Sequence, residues 1–374
     1  MAGKRIILMY ISEISGHHSA TLAIEKALKI LAPETEILNF NAFNYTNPIS
    51  EKIINRLYMT VIKNTPQVWE YLYDNPDVIK SLEVIKTSLH KFNSQKFMDL
   101  FNKFKPDLVA CTQAFPCGMI ADYKKIYNSD IPLIAVLTDY VPHSYWIYDT
   151  VNYYVTPSEE VGLRLAQKDV PIDRIKPLGI PFDPIFNSTV DKAECFKKLN
   201  LKSDLPTLLI MGGGQGLGPI KTIIESLEKI KYDIQVLVIT GNNKRLYKSL
   251  VKKTKKMKNK YLIFGYVDNV FELMEISNII ITKPGGITTA EALVKKIPML
   301  IISPIPGQEA NNTAYLTKIG AAIKVDDLEN MNLVIDDLLA SEEKLREMRI
   351  AAEKVSKPNA SFDIAKLLLS LKHV

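Results

Sequence analysis

The sequence predicts an α/β protein of two domains, each built around a parallel β-sheet. Short apolar segments rich in β-branched residues alternate with helical segments along most of the chain, as they do in βαβ units. This alternation starts again at Thr207, after a stretch rich in proline and polar residues. The chain has 374 residues, which is beyond the size at which one hydrophobic core usually stops growing. Each half is therefore expected to fold around its own core.

The predicted strands are short apolar segments, some in each half of the chain. In chain order they are residues 5–10, 36–40, 108–111, 133–137, 152–155, 207–211, 235–240, 261–264, 279–282, 299–302 and 322–325. Helical segments separate most of them, so the strands of each sheet are expected to run parallel. Residues 177–206, between the two series, are the predicted connection between the domains.

The predicted domain boundaries follow from these two series. Residues 1–183 form the predicted first domain and residues 184–355 the second. Residues 356–374 have the period of an amphipathic helix with no strand after it, so this helix is predicted to pack back on the first domain. Residues 48–104 interrupt the first domain with a long helical stretch that contains no strand candidate. That stretch is predicted to be an insertion with a role of its own.

The helical insertion has two interpretations. Apolar residues recur at helical spacing from Ile49 to Ile62, close to lysine and arginine, and aromatic residues follow. Such a helix either packs on its own domain or lies in a membrane surface with its apolar face in the lipid. Because basic and aromatic residues accompany it, we favour the membrane, with Ile53, Leu57 and Trp69 as contact residues.

Composition and the start of the chain predict a cytoplasmic protein. The three cysteines are scattered and lack a paired metal-binding spacing, which argues against a disulfide framework. The first apolar run ends in SEISGHH, so we interpret it as a strand and not as a signal peptide. No segment approaches the roughly 20 apolar residues that a membrane span requires. We expect a protein that is soluble or peripherally bound to the inner face of a membrane.

The net charge of +6 is placed unevenly, with much of the basic excess in residues 244–260, KRLYKSLVKKTKKMKNK. A charge run of this kind is usually a solvated helix face, and contact with anionic lipid is the alternative. Nucleic acid is not an expected partner, because the run lacks the interleaved aromatic residues of a base-stacking surface.

A glycine-rich loop, MGGGQGLGP, follows the apolar segment TLLIM and precedes a helical stretch. Glycines let backbone N–H groups approach an anion at the start of a helix, which predicts a phosphate site at Gly213, Gly214, Gln215 and Gly216. The loop is not a P-loop, since no Gly-Lys-Ser/Thr follows, and its glycines miss the dinucleotide spacing G-x-G-x-x-G. A tight turn without a ligand is the alternative, but such a turn would hardly need so many glycines.

A second corner lies in ITKPGGITTAEAL, where Lys283, Gly285 and Gly286 follow a predicted strand and a helix begins. Thr288 supplies a hydroxyl in its first turn. The carboxylate of Glu291 suits two hydrogen bonds from a ribose diol. Taken alone, the stretch also fits an ordinary helix start with a dipole-compatible glutamate.

A third corner, SPIPGQEANN, places Gln308, Glu309 and Asn312 after the next predicted strand. Polar side chains that can each make two hydrogen bonds suit sugar hydroxyls. All three corners follow strands of one predicted sheet, and open α/β folds bind ligands at the carboxyl ends of their strands. Together they predict a site for a nucleotide sugar.

The first domain has a corner of its own, ISEISGHHSATLAIEKAL, after the first predicted strand. His17 is placed at the start of a helix, facing the cleft. A histidine there is either a general base for an acceptor hydroxyl or a capping and packing residue.

These segments resemble the diacylglycerol glycosyltransferases of glycosyltransferase family 28, which include the monogalactosyldiacylglycerol synthases and the bacterial processive diacylglycerol glucosyltransferases. The resemblance covers most of the chain. It rests on G-H-x-S-A after the first strand, Thr138 and Asp139 with His143 and Trp146 following, G-I-P at 179–181, MGGGQGLG, G-Y-V at 265–267, TKPGGITTAEAL and PGQEANN. The sequence departs from the family before Gly16, where the family usually has a further glycine, as in G-x-G-H, whereas Glu13, Ile14 and Ser15 precede Gly16 here.

The resemblance implies a GT-B fold, in which two Rossmann-like domains with parallel sheets face each other and the second binds the donor. It implies that His17 activates the acceptor and that Asp139 is an acidic residue of the cleft, from which we infer that Asp139 supports His17 or orients the acceptor. The donor contacts that it implies are diphosphate loops at 213–216 and 285–288, a uracil pocket at Tyr266 and Val267, a ribose ligand at Glu291, and sugar ligands at Gln308 and Glu309.

The implied reaction moves a hexose from a UDP-sugar to a lipid hydroxyl, with inversion at the anomeric carbon. No metal or other cofactor is expected, because the chain contains no Asp-x-Asp triplet and a helix beginning near Gly286 offsets the charge of the departing UDP. The expected partners are a UDP-sugar, a lipid acceptor and an anionic membrane surface, and no nucleic acid. Three other functions stay open: transfer to another lipid such as an undecaprenyl-linked precursor, UDP-sugar 2-epimerisation on the same fold, and non-catalytic sensing of a UDP-sugar.

Overall fold

The computed structural model describes residues 3–13, 15–42 and 96–371. The predicted membrane-contact residues Ile53, Leu57 and Trp69 lie outside these ranges. The chain divides into two compact units. The first comprises Met1–Pro184, Ile305–Gln308 and Asn359–Val374, and the second comprises Ile185–Pro304 and Glu309–Pro358.

The first unit is built around a sheet of six parallel strands in the order β2-β1-β3-β4-β5-β6. Its elements are β1 Arg5–Tyr10, α1 Gly16–Leu31, β2 Glu36–Asn41, β3 Leu108–Cys111, α2 Ala114–Tyr127, β4 Leu133–Val136, β5 Tyr153–Val155, α3 Glu159–Ala166 and β6 Ile175–Lys176. Residues 96–104 are also helical. Short 3₁₀ turns lie at Ser144–Trp146 and Ile172–Arg174.

The second unit has its own sheet of six parallel strands, in the order β12-β11-β10-β7-β8-β9. Its elements, after a 3₁₀ turn at Pro184–Asn187, are α4 Lys192–Lys198, β7 Thr207–Met211, α5 Ile220–Leu227, β8 Gln235–Ile239, α6 Lys244–Thr254, β9 Lys260–Phe264, α7 Val270–Glu275, β10 Ile279–Thr282, α8 Gly286–Val294, β11 Met299–Ile302, α9 Gln308–Lys318, β12 Ala322–Val325, α10 Met331–Leu339 and α11 Glu342–Val355. The last helix, α12 Ala360–Ser370, belongs to the first unit.

Both faces of the first sheet are buried, as expected for a parallel sheet covered by helices on each side. Alternate residues of β1 point to opposite faces, so Ile7 and Met9 join one hydrophobic cluster while Ile6 and Leu8 join another. The second cluster is closed by helices α1 and α12. Its fully buried members from these helices are Ile24, Ala27, Leu28, Ile364, Ala365 and Leu368.

The predicted α/β class with two parallel sheets is confirmed, since every predicted strand within the described ranges is present to within a residue at either end. The prediction missed β6, which has two residues and is too short to show a period. Across the described ranges, no helix is long and apolar enough to cross a membrane.

In both sheets the strand order reverses next to the first strand of the unit. This reversal falls between β1 and β3 in the first sheet and between β7 and β10 in the second. The chain leaves such neighbouring strands toward opposite faces, which opens a crevice at their carboxyl ends. These two crevices are where the candidate site residues are expected within each unit.

Candidate active site

Helix α1 brings His17 to the carboxyl edge of the first sheet. The helix begins at Gly16 after Ser15, whose extended backbone and side chain form the N-cap. The Ser15 hydroxyl accepts a hydrogen bond from the His18 backbone N–H at 3.3 Å and donates to the Ser12 carbonyl at 2.7 Å. The serine thus fixes the turn between β1 and α1, where the family resemblance leads one to expect glycines.

The His17 ring is held by groups that follow β3 and β4. Its Nδ1 lies 2.8 Å from the carbonyl oxygen of Thr112 and 3.1 Å from the hydroxyl oxygen of Thr138. A carbonyl only accepts hydrogen bonds, so Nδ1 carries the ring proton and donates it to Thr112. In the neutral ring the lone pair is then on Nε2, which is the state a general base requires.

The surroundings of His17 favour its neutral form. Burial lowers the pKa of the ring, and the nearby carboxylate of Asp139 and the hydrogen bond to Thr112 raise it only in part. The net pKa lies below the ordinary histidine value. The ring is therefore neutral and ready to accept a proton at neutral pH, and the negative charge of Asp139 stabilises any positive charge that develops on it.

The next residue, His18, has a different environment. Its ring stacks on that of Tyr10 with centroids 4.2 Å apart, and its Nδ1 donates to the Glu13 carbonyl at 2.9 Å. The Tyr10 hydroxyl donates to the Glu13 carboxylate at 2.6 Å. His18 is thus fixed to the loop before α1, and the two adjacent histidines have separate partners.

Sequence reasoning missed Thr112 and left Thr138 without a role. Thr112 follows β3 directly, and its own hydroxyl donates to the His17 carbonyl at 2.9 Å, so the two residues are tied together twice. The available signal was a hydroxyl residue immediately after a strand next to β1. That signal is weak, because the contact that matters is made by a backbone carbonyl.

In the second unit the predicted glycine loop connects β7 to α5. Gly216 has a left-handed backbone with φ +58°, and a Cβ at this position would lie 2.0 Å from the Thr240 carbonyl oxygen. Only glycine fits such a backbone and such a close approach. The loop is closed by hydrogen bonds from the Gly216 N–H to the Gly213 carbonyl at 3.0 Å and from the Leu217 N–H to the Gly212 carbonyl at 2.8 Å. Gly213, Gly214 and Gln215 at its tip are exposed.

The loop rests on a corner that sequence reasoning did not identify, Gly241–Asn243 between β8 and α6. The Asn242 N–H donates to the Gly214 carbonyl at 2.9 Å, and the Asn243 side-chain amide donates to the Gly216 carbonyl at 3.2 Å. The Asn243 side chain also caps α6 by accepting from the Leu246 N–H at 2.9 Å. The signal was present, since Gly-Asn-Asn between a strand and a helix combines a turn residue with a helix cap.

Helix α8 presents a bare N-terminus on the other side of the strand reversal. It begins after Gly285, which makes no side-chain cap, and its first turn contains no acidic residue. The Thr289 hydroxyl points back to the carbonyls of Gly285 and Gly286 at 3.0 and 2.9 Å. Gly285 thus provides no side-chain cap for the first backbone N–H groups of the helix, and N–H groups at a helix start suit an anion such as a phosphate.

Two residues predicted to contact the sugar, Glu309 and Asn312, lie at this corner. Lys283 and Glu309 form an ion pair of 3.0 Å, with both side chains mostly buried. Asn312 is fully buried, and its amide donates to the Pro284 carbonyl at 3.0 Å. Asn312 thus supports the loop before α8 from inside the protein, whereas the prediction placed it against the sugar.

The remaining predicted donor residues lie on three elements. Tyr266 and Val267 follow β9, and the Tyr266 side chain is 67% exposed. Thr288 and Glu291 are partly buried on α8. Gln308 is the first residue of α9 and belongs to the short segment that groups with the first unit.

Two family models match the chain. A model of monogalactosyldiacylglycerol (MGDG) synthase matches residues 17–182, and a model of the glycosyltransferase family 28 C-terminal domain matches residues 207–367. A processive diacylglycerol beta-glucosyltransferase from Bacillus licheniformis is 30% identical over 365 residues, which cover 96% of this chain and 92% of the relative. This chain belongs to the diacylglycerol glycosyltransferases of glycosyltransferase family 28. The predicted family is confirmed, and the glycosyltransferase has its two matched regions on either side of residues 183–206.

Solved structures show how widely the fold of this glycosyltransferase is shared. MurG from Acinetobacter baumannii has a TM-score of 0.64 at 14% identity, with 98% of this chain and 100% of that chain covered. The UDP-GlcNAc 2-epimerase from Neisseria meningitidis bound to UDP-GlcNAc has a TM-score of 0.61 at 14% identity, with the same coverage. At such identities the likeness concerns the fold alone, which is GT-B.

Proposed function

We propose that this glycosyltransferase transfers a hexose from a UDP-sugar to the hydroxyl of a diacylglycerol-type lipid, with inversion at the anomeric carbon. The observation that carries the proposal is the His17 ring, whose proton is held on Nδ1 by Thr112 so that Nε2 is a free base. A binding protein that only senses a UDP-sugar has no need for such a base. The relatives' names supply the lipid class of the acceptor.

In the proposed step, Nε2 of His17 takes the proton of the acceptor hydroxyl while the oxygen forms a bond to the anomeric carbon. The bond from that carbon to the β-phosphate oxygen breaks at the same time, and UDP leaves with the electron pair. Asp139 offsets the positive charge that develops on His17. Backbone N–H groups of the loop 213–216 and of the α8 N-terminus stabilise the diphosphate, so the reaction as proposed needs no metal or other cofactor.

The remaining donor contacts are proposed by position. Glu291 on α8 binds the ribose diol, and the corner after β9 binds the uracil. Lys283 and Glu309, which form an ion pair, lie where the hexose is expected, and the pair opens or rearranges to take up sugar hydroxyls. The residues assigned to uracil and to the hexose are Tyr266, Val267, Gln308 and Glu309.

Diacylglycerol is a membrane lipid, so the enzyme must meet it at a bilayer. We propose peripheral association with the cytoplasmic face of an anionic membrane, where a UDP-sugar is available. The predicted contact residues of the insertion, Ile53, Leu57 and Trp69, remain part of this proposal.

A transfer assay tests the proposed function. The protein is incubated with radiolabelled UDP-glucose or UDP-galactose and with vesicles that contain or lack diacylglycerol, and labelled lipid and free UDP are measured. We expect labelled glycolipid and free UDP only with diacylglycerol. UDP release with an undecaprenyl-linked acceptor alone would identify the other lipid transferase. Conversion of the sugar without any acceptor would identify an epimerase, and binding without turnover would identify a sensor.

A further inference from the structure

Helix α6 and the residues directly after it carry an exposed basic surface on the second unit. Six of its side chains are exposed cations: Lys244, Arg245, Lys248, Lys252, Lys255 and Lys256. We call these six residues the basic stripe. Among the residues that the structure describes, no carboxylate forms an ion pair with any of them, and α6 itself contains no acidic residue.

The cations of the stripe share one face of the helix. At about 100° per residue, Lys244, Lys248 and Lys252 follow one another at i, i+4 spacing along the axis. Leu250, the buried residue of α6, points to the opposite side. The helix packs next to β9, an edge strand of the second sheet, so the stripe faces outward at the edge of the unit.

Nearby carboxylates are engaged by other groups. Glu225 pairs with Lys253, which lies off the stripe, and Asp233 pairs with Lys258 at 3.4 Å. Glu228 accepts from the Lys258 N–H at 2.9 Å and from the Tyr261 hydroxyl at 3.0 Å. The surrounding acids therefore leave the charge of the stripe uncompensated.

This arrangement works against the stability of the helix. Like charges at i, i+4 repel each other, and cations in the first turn face the positive end of the helix dipole. Lys244 and Arg245 occupy that first turn, while Lys244, Lys248 and Lys252 form two like-charge pairs. Contact with an anionic partner relieves both unfavourable interactions.

We propose that the basic stripe binds the phosphate headgroups of an anionic phospholipid bilayer and holds the second unit at the membrane surface. This inference rests on the proposed function, in which the acceptor is a membrane lipid. The stripe presents charge without exposed aliphatic side chains, so the contact is electrostatic, reversible and weakened by salt. A bilayer fits better than a nucleic acid, because Tyr247 is the one exposed aromatic residue within α6 and successive bases need several stacking surfaces.

The experiment measures sedimentation of the full-length protein with vesicles of phosphatidylcholine alone and of phosphatidylcholine with phosphatidylglycerol. The stripe variant carries Lys248→Gln, Lys252→Gln, Lys255→Gln and Lys256→Gln. The matched control removes the same charge elsewhere on the second unit, with Lys202→Gln, Lys324→Gln, Lys354→Gln and Lys357→Gln. Lys324 lies on β12, at the opposite edge of the sheet from β9.

We expect wild type and control to bind anionic vesicles at low salt and to bind neutral vesicles weakly. Each lysine near an anionic surface strengthens binding roughly fivefold, so the stripe variant is expected to bind about 10²-fold or more weakly. Its transfer of hexose to diacylglycerol dispersed in detergent is expected to match wild type. An equal loss of binding to anionic vesicles in the stripe variant and the control would contradict the proposal, since it would mean that only the total charge of the protein matters.

A single substitution separates lost binding from lost folding. Lys248→Glu creates opposite-charge pairs with Lys244 and Lys252, so the helix is expected to become slightly more stable while vesicle binding weakens. Unchanged vesicle binding by both variants, with transfer activity intact, would overturn the stripe and leave the proposed function standing. Absence of transfer by the wild type would overturn the function itself. If the stripe variant lost binding to polyuridylate but kept its binding to vesicles, the stripe would be assigned to a nucleic acid and the proposal would be refuted.

Discussion

His17 owes its chemistry to residues far from it in the sequence. The carbonyl of Thr112 sets its tautomer and the carboxylate of Asp139 adjusts its pKa. Thr112 follows β3, which lies beside β1, and Asp139 follows β4, the next strand along the sheet. The position of a histidine after the first strand could be predicted from the sequence, but its tautomer could not, because a backbone carbonyl leaves no signature in residue type.

The first prediction concerns the two adjacent histidines. His17→Ala is expected to lower the transfer rate by about 10² to 10⁴-fold, the usual contribution of a general base, and to leave UDP-sugar affinity within a few-fold of wild type. His18→Ala is the matched control, because its ring contacts Tyr10 and Glu13 instead of Thr112. Steady-state kinetics and calorimetry measure the two effects. Full transfer by His17→Ala together with loss in His18→Ala would reverse the assignment.

The second prediction concerns the pH dependence of transfer. The base form of His17 is needed, and its pKa is lowered by burial, so kcat/KM is expected to fall only as the pH drops below the ordinary histidine value. The Asp139 carboxylate raises this pKa. Asp139→Asn is therefore expected to shift the acid limb to lower pH, and to reduce the plateau because the imidazolium loses its counter-charge.

Asp149→Asn provides the control for this profile, since Asp149 is exposed in the same unit and is not among the groups that shift the pKa of His17. Its acid limb is expected to coincide with that of wild type. A shift of the Asp139→Asn limb to higher pH would show that Asp139 does not interact with His17 as a negative charge.

The sequence predicted the position of donor residues on loops better than that of donor residues inside helices. The glycines after β7 were recognisable because their residue type is itself the signal. Asn312 was grouped with Gln308 and Glu309 because all three are polar and close in sequence, yet Asn312 faces the interior and bonds to Pro284. A helical period places residues on faces, but it does not say which face a short polar segment turns inward.

At the scale of elements, the loop that carries predicted diphosphate contacts is held in place by a neighbouring loop. The loop after β7 bonds to the corner after β8 through Asn242 and Asn243, and the α8 N-terminus lies on the other side of the strand reversal. The sequence predicted the loop and the start of α8 separately. It missed the corner after β8 because that corner binds another loop, and such contacts follow from strand order.

The third prediction tests this support through Gly216. In Gly216→Ala the Cβ would lie 2.0 Å from the Thr240 carbonyl oxygen on a backbone with φ +58°, so the loop must move. UDP affinity is expected to fall roughly tenfold or more, equivalent to about 1.4 kcal/mol, as measured by calorimetry. Gly265→Ala is the control for folding, since its Cβ would lie 3.8 Å from the nearest atom, the Gly241 carbonyl oxygen. A folded Gly216→Ala protein with wild-type UDP affinity would remove the loop from the donor site.

At the scale of the whole molecule, strand periodicity was sufficient to predict two parallel sheets, because parallel strands buried on both faces are nearly continuous apolar runs. The order of the strands was beyond reach of the sequence, since apolar runs of similar composition carry no label for their neighbours. Packing also decides which distant segments of the chain belong to the same unit. The first unit, for example, contains Asn359–Val374, the far end of the chain.

Helix α12 is therefore a structural part of the first unit. Ile364, Ala365 and Leu368 are fully buried and pack with residues of α1 and β1. The Ser361 hydroxyl donates to the Phe182 carbonyl at 2.5 Å and accepts from the Phe182 N–H at 3.1 Å, which ties the start of α12 to the segment after β6. Without α12, one face of the first sheet would expose its apolar side chains to water.

The last prediction follows from this packing. Leu368→Ala is expected to destabilise the first unit by about 2 to 5 kcal/mol, the usual range for a leucine removed from a core, because Leu368 is fully buried between α1 and the sheet. Urea unfolding followed by circular dichroism measures the change. Lys366→Ala on the exposed side of the same helix is the control, and it is expected to stay within about 0.5 kcal/mol of wild type. The Leu368→Ala protein should still bind UDP with wild-type affinity, since the proposed donor contacts of the second unit do not depend on this helix. Equal stability of the two variants would mean that α12 is not part of the cooperative core of the first unit.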